Sequence, residues 1–184
     1  SFVMTDTVFA EAVTTPNTLL DMVKKGQVDV SQSPVGFFSQ FDQDINEGMR
    51  FMSTTQNLMS HISEEFAQDD SYGNGLLPFV VIDDVILFYA NPEKSYLAHN
   101  YGNYSDENID GVMLGIVGTL YALNQLCIYH FQHTNTKGNE FYADKYHALR
   151  NWFYGNIDKI IEHGTPDEVL AAKRASNAFF SLTD

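Results

Sequence analysis

Cysteine is nearly absent from this chain of 184 residues: Cys127 stands alone. No intrachain disulfide can form, which fits a reducing compartment, and cytoplasmic localisation is expected. Nothing cationic sits beside Cys127 in sequence, so a buried, inert thiol is expected there. Positive charge is scarce as well. Ten Lys and Arg face 24 Asp and Glu, the net charge is −14, and the arginines are Arg50, Arg150 and Arg174. Sequence-independent DNA binding rests on cations that neutralise phosphates. The charge balance therefore argues against direct nucleic-acid binding and against attraction to anionic membranes. Acidity suits a basic protein partner and equally suits solubility alone. No basic segment followed by an apolar run marks a secretory signal. The longest apolar stretch, from Gly111 to Asn124-Gln125, is about 15 residues, where a membrane span needs roughly 20. A buried central helix is expected there, and no membrane association.

Catalytic signatures are missing too. The chain has no HExxH, no GxSxG elbow, no GxxxxGK[ST] and no GxGxxG. His130 and His133, with Glu140, Asp144 and His147 at helical spacing beyond them, are a candidate zinc or iron set by donor type, but their spacing matches no established motif. The pairs Glu64-Glu65, Asp69-Asp70 and Asp83-Asp84 are adjacent and read as solvated surface. Neither a cofactor nor a catalytic residue is assigned.

What is present is apolar and aromatic: 44% hydrophobic residues, with 14 Phe and 10 Tyr, too many for a disordered chain. Ser1-Phe2-Val3 ahead of Met4 reads as a cloning remnant, and residues 4–13 carry no decisive pattern. Thr15 and Pro16 are expected as N-cap and first residue of a helix ending near Gly26, followed by a loop over 27–35. Residues 36–68 read as helix in two pieces. Phe37, Phe38, Phe41, Ile45, Met49, Met52, Leu58, Met59, Ile62 and Phe66 form its apolar stripe. Residues 69–75 are turn chemistry. Residues 76–82 and 85–90 read as a hairpin around Asp83-Asp84, and 96–100 as a further strand. Ser105 is expected to cap a helix over about 106–130, with Asp106, Glu107 and Asp110 in its first turns. On that helix Gly111, Gly115 and Gly118 share a face that admits a close neighbour. A polar loop over 131–138 and a helix over 139–162 follow. Thr165, Pro166 and Glu168 then open a last helix through a capping box. The expected fold class is α+β: helices packed around a small antiparallel sheet in a single domain.

Three segments resemble the ArdB/KlcA antirestriction proteins, in the same order. They are Phe88-Tyr89-Ala90-Asn91-Pro92 closing the hairpin, Asp110-Gly111 with the run from Gly115 to Asn124, and Ala143-Asp144-Lys145-Tyr146-His147-Ala148-Leu149-Arg150. The end of the chain, from Ala178 to Asp184, is weakly similar to the family's terminal segment. The similarity covers about residues 76–155. Residues 4–35 have no counterpart, and Asp83-Asp84 replaces the family's Asn-Gly-Gly turn.

The resemblance implies an α+β domain carried by plasmids or other mobile elements. It implies a non-enzymatic protein that relieves type I restriction, with a type I restriction enzyme or an associated host factor as protein partner. An inhibitor of another bacterial defence system, or a toxin-immunity protein on the same scaffold, is the alternative. A hydrolase or metalloenzyme centred on 130–147 and a DNA mimic are further readings. Asp83, Asp84, Asp106, Glu107 and Asp110 are the candidate partner contacts. The motif residues Gly111, Gly115, Gly118, Asp144, Tyr146, His147 and Arg150 are structural or contact residues; Tyr146, His147 and Arg150 read either as a hydrogen-bonded seam against the hairpin, the favoured reading, or as an exposed contact patch.

Overall fold

A computed structural model describes residues 11–27, 45–69 and 77–184. The expectations for residues 1–10, the 28–35 loop, Phe37, Phe38, Phe41 and the 70–75 turn lie outside them. The described residues form α1 (Asn17–Gly26), α2 (Ile45–Ile62), α3 (Glu64–Ala67), β1 (Phe79–Ile82), β2 (Val85–Phe88), β3 (Ser95–Asn100), β4 (Ser105–Asp110), α4 (Gly111–Gln132), α5 (Thr136–His163) and α6 (Pro166–Thr183). The fold is α+β, a single compact domain with two antiparallel hairpins among helices.

The first hairpin follows the alternation of its sequence. Phe79 pairs with Phe88 and Ile82 with Val85 around Asp83-Asp84. Asp83 takes φ 53°, the left-handed conformation that a two-residue turn demands and that aspartate tolerates. The second hairpin departs from expectation. Residues 105–110 are a strand, not the first turns of a helix: β4 pairs antiparallel with β3, Asn100 against Ser105 and Ser95 against Asp110. Ser-Asp-Glu-Asn-Ile-Asp has poor intrinsic strand propensity. The pairing partners decide its conformation. Along its other edge Val13 adds a parallel bridge, with Val13 N–H donating to Asn108 O at 2.7 Å and Asp110 N–H to Val13 O at 3.0 Å. Ile109 is fully buried between them. The cap role expected of Ser105 falls to Asp110, whose carboxylate accepts from Met113 N–H at 2.9 Å.

Helix α4 is the axis of the core. Every residue from Gly111 to Leu120 is buried. The helix packs against α2, α5, α6, β2, β3 and β4. It is 22 residues long, and an 18-residue window of it has a mean hydropathy of 1.6, so by length and composition it could cross a membrane, contrary to the sequence-based estimate of its apolar length. Most of that window, 72%, is buried instead among the other described elements. Side chains such as Ile116, Val117 and Leu120 each contribute about 1.5–3 kcal/mol by leaving water.

Other boundaries shift for local reasons. Helix α1 begins one residue later than expected, at Asn17, and Pro16 stands at its N-cap without a side-chain bond. Thr15 is occupied elsewhere, as described below. Helix α5 starts at Thr136, ahead of the expected 139, because Asn135 accepts from Gly138 N–H and satisfies the first turn. The helical pattern over 36–68 is broken at Ser63, whose side chain caps α3. On α2 and α3 the core face is Phe51, Met52, Met59, Ile62 and Phe66, while Met49 points to solvent. Thr165 caps α6, accepting from Glu168 N–H at 3.4 Å, with Pro166 opening the helix.

Candidate partner-contact surface

The three resembling segments meet in space. A Cβ at Gly111 would collide with the backbone of Ala90 and Asn91, and one at Gly115 with Phe88 O and Tyr89. Helix α4 therefore lies directly on the chain leaving β2, and only glycine permits that approach. Between those glycines and the next turn, Thr119 Oγ1 faces both Phe88 N–H (3.1 Å) and Phe88 O (3.3 Å) and closes the end of β2. Gly118 serves a different neighbour, Met59 of α2. From α5, Lys145 Nζ donates to Asp84 O at 2.9 Å.

Tyr146, His147 and Arg150 do not form the expected seam. Lys145 makes the bond to the hairpin turn instead. Helix α5 turns Tyr142, Leu149, Phe153, Ile157 and Ile160 inward, which leaves Asp144 and His147 exposed. Tyr146 is half-buried against the core, with His147 edge-on at 5.5 Å. Arg150 lies over the Tyr154 ring at 5.3 Å. A seam at 146, 147 and 150 would need those positions on the buried face, and the helical period places them at its border.

The acidic candidates separate into three environments. Asp83 and Asp84 are exposed at the turn of the first hairpin. Asp106 is exposed on the second and pairs with His99 Nδ1 across the ladder. Glu107 is half-buried and borders a shallow cavity of about 460 Å³ with Glu11, Arg174 and Asn177. Asp110 is buried and unavailable to a partner. Its Oδ2 accepts from Thr15 N–H at 2.6 Å, and its Oδ1 from Thr15 Oγ1 at 2.8 Å as well as from Met113. Burial pushes the Asp110 carboxyl above its ordinary range, and the bonds from Met113 and Thr15 oppose that rise.

The sequence points to an acidic and Tyr-rich surface here but singles out only its carboxylates, and the most exposed aromatic side chains near them are two tyrosines outside that set. The turn joining β3 to β4 carries Tyr101, 58% exposed, and Tyr104, 90% exposed and held at φ 61°. His61 and His99 flank Tyr101, with ring centroids at 5.1 and 5.8 Å. The turn is anchored from beneath. Asn100 Nδ2 donates to Ser181, Leu182 and Asp184 O, and Asn103 Nδ2 to Ser181 and Asp184 O. Tyr121 Oη also donates to Leu182 O. These bonds satisfy carbonyls at the end of α6, which a helix leaves unpaired. Two asparagines bracketing a glycine and flanked by tyrosines were the available signal, and they read only as a turn.

The candidate metal ligands disperse. His130 is buried, with Nε2 3.1 Å from Glu47 Oε2. Tyr142 Oη donates to the same oxygen at 2.6 Å, and its ring stacks on the imidazole at 5.4 Å. Burial and the Glu47 bond both raise the Tyr142 hydroxyl above its ordinary value. Arg50 Nε stands 3.5 Å from Glu47 Oε1. His133 donates to Tyr129 O at 2.8 Å, and Glu140, Asp144 and His147 face solvent. Among the described residues no three His, Cys, Asp or Glu side chains are grouped to hold a metal ion. Cys127 is half-buried, its thiol against Asn139.

No protein-family model matches the sequence, no curated protein matches it, and no solved structure matches the fold.

Proposed function

We propose that this chain is a non-catalytic inhibitory protein that relieves type I restriction by binding a protein partner, either the restriction enzyme or an associated host factor. The observation that carries this reading is the convergence of the three segments that resemble ArdB/KlcA. Gly111 and Gly115 seat α4 on the Phe88–Asn91 backbone, and α5, which carries the third segment, packs against both α4 and β2. Residues from distant parts of the sequence thus serve one packing unit. The contact surface in this reading is the anchored turn with Tyr101, Tyr104 and Asp106. Rigid aromatic side chains with a polar tip are what protein interfaces use as anchors. A net charge of −14 suits a basic partner surface. Asp110 drops out of the contact set, and Asp83 and Asp84 remain as exposed carboxylates on a separate hairpin.

The test is the plating efficiency of unmodified phage on cells that carry a type I restriction system, with and without this protein. The expected outcome is a rise of several decades with modification retained. Tyr101→Ala with Tyr104→Ala is expected to abolish that rise in a protein that stays folded by circular dichroism. No rise against type I systems of several specificities would overturn the reading.

A further inference from the structure

The hydrogen bonds around His130 settle which ring nitrogen carries its proton, and that assignment has a consequence for the turn between α4 and α5. The starting point is Gly138. Its backbone N–H can only donate, so the Asn135 side-chain atom 3.0 Å away is the carbonyl oxygen Oδ1. The other end of the same amide is then Nδ2, a donor, and it lies 3.2 Å from His130 Nδ1. A donor faces that nitrogen, so Nδ1 is the bare acceptor. The ring proton is on Nε2 and is donated to Glu47 Oε2. The arrangement is tight: a Cβ at Gly138 would stand 2.8 Å from His130 Nδ1 and 2.9 Å from Asn135 Nδ2.

The geometry points to a proton-operated latch, in which uptake of a proton at His130 Nδ1 forces the Asn135 amide to turn over and release the N-cap of α5. A protonated Nδ1 is a donor aimed at another donor. Rotating the amide by half a turn offers Oδ1 to the imidazolium and leaves Nδ2 facing Gly138 N–H, so one of the two contacts is always lost. The groups facing the imidazole are Glu47 from α2 with Arg50 behind it, Tyr142 from α5, Asn135 from the turn, and Tyr129 on its own helix, edge-on at 5.2 Å. His133, 4.1 Å from the Tyr129 ring, is the next titratable neighbour. Apart from the rotated Asn135 amide, none of these supplies an acceptor to Nδ1. The turn released by the latch borders a cavity of about 390 Å³ lined by His130, Phe131, Thr134, Asn135, Thr136 and Asn139. Phe131 is 73% exposed at its rim. Release of the cap thus loosens the mouth of that cavity.

The test is nitrogen-15 NMR of the intact protein. Near neutral pH the His130 imidazole is expected to show a proton on Nε2 and none on Nδ1. On acidification, hydrogen-exchange protection at the Gly138 amide is expected to fall in step with protonation of Nδ1. Protection at the Val169 amide, bonded to Thr165 O in α6, should hold over the same range. Asn135→Asp offers a carboxylate oxygen to each donor, and it is expected to keep Gly138 protected through the His130 titration. A proton on Nδ1 at neutral pH overturns the proposal. So does a Gly138 amide indifferent to His130 protonation, or one that opens together with Val169. The tautomer and the wild-type exchange decide it even if the variant fails to fold.

Discussion

At the scale of the residue, two helical glycines have opposite meanings. Nothing stands within 4 Å of a Cβ built on Gly155 of α5, whereas one on Gly115 of α4 collides with strand backbone. Gly155→Ala is therefore expected to stabilise the protein by about 0.5–1 kcal/mol, the ordinary gain from replacing glycine in a helix. Gly115→Ala is expected to destabilise it by about 1–3 kcal/mol or more, because backbone cannot move aside as a flexible side chain can. Urea denaturation of both variants checks the pair. Asp110 yields a dependence on pH. Its carboxyl titrates above the unfolded value of 3.8, so the folded state takes up the proton first. Its contribution to stability consequently falls as pH rises through the window from 3.8 upward, and is recovered as pH drops. Asp110→Asn removes that response and one acceptor for Thr15. The variant is expected to be less stable by about 1–3 kcal/mol near neutral pH. The deficit should widen on acidification, measured by denaturation midpoints across pH 4–7. A deficit that narrows would mean that the bonds to the carboxylate outweigh its burial. Glu47 and His130 show what the sequence could not offer at this scale. They are 83 positions apart, and no spacing rule links them.

At the scale of the element, legibility followed hydrophobic pattern. The β1–β2 hairpin, the buried helix α4 and the cap of α6 all carry local signals strong enough to read directly. Strand β4 does not. A hexamer that opens on a serine, holds three acids and an asparagine, and is followed by an apolar run has the local appearance of a helix start. Its conformation is set by β3, across a short turn, on one side and by Val13, remote in sequence, on the other. The same nonlocal logic governs the end of α6, where side chains from the β3–β4 turn replace the missing helical donors. Asn100→Ala combined with Asn103→Ala is expected to cost about 2–4 kcal/mol, since the two amides supply four N–H donors to the end of α6 and each bond contributes about 0.5–1.5 kcal/mol net. Faster hydrogen exchange should be confined to the last turn of α6 and the β3–β4 turn.

At the scale of the whole molecule, the α+β architecture followed from composition and alternation, whereas the contact surface did not, because exposure is a property of the assembled chain. Asp110 was placed among the contacts by its charge and removed by its burial. Tyr104 was passed over as part of a turn and emerged as its most exposed side chain. Net charge does have one direct reading. At −14 the folded protein repels itself, and added salt screens that repulsion. The thermal midpoint is expected to rise by several degrees between about 20 mM and 500 mM sodium chloride, read by calorimetry, and a fall would mean that attractive ion pairs dominate instead. A last consequence concerns time. Val13 and Thr15 hold β4 and its cap at one end of the strap that continues through α1, while Gln27 bridges to Val80 at the other. Thr15 leaves the ribosome 95 residues ahead of Asp110. At ordinary synthesis rates that interval is about 5–20 s. Throughout it the strap has no β4 to join, so the first described segment of the chain waits for residues near the middle of the sequence before it can dock.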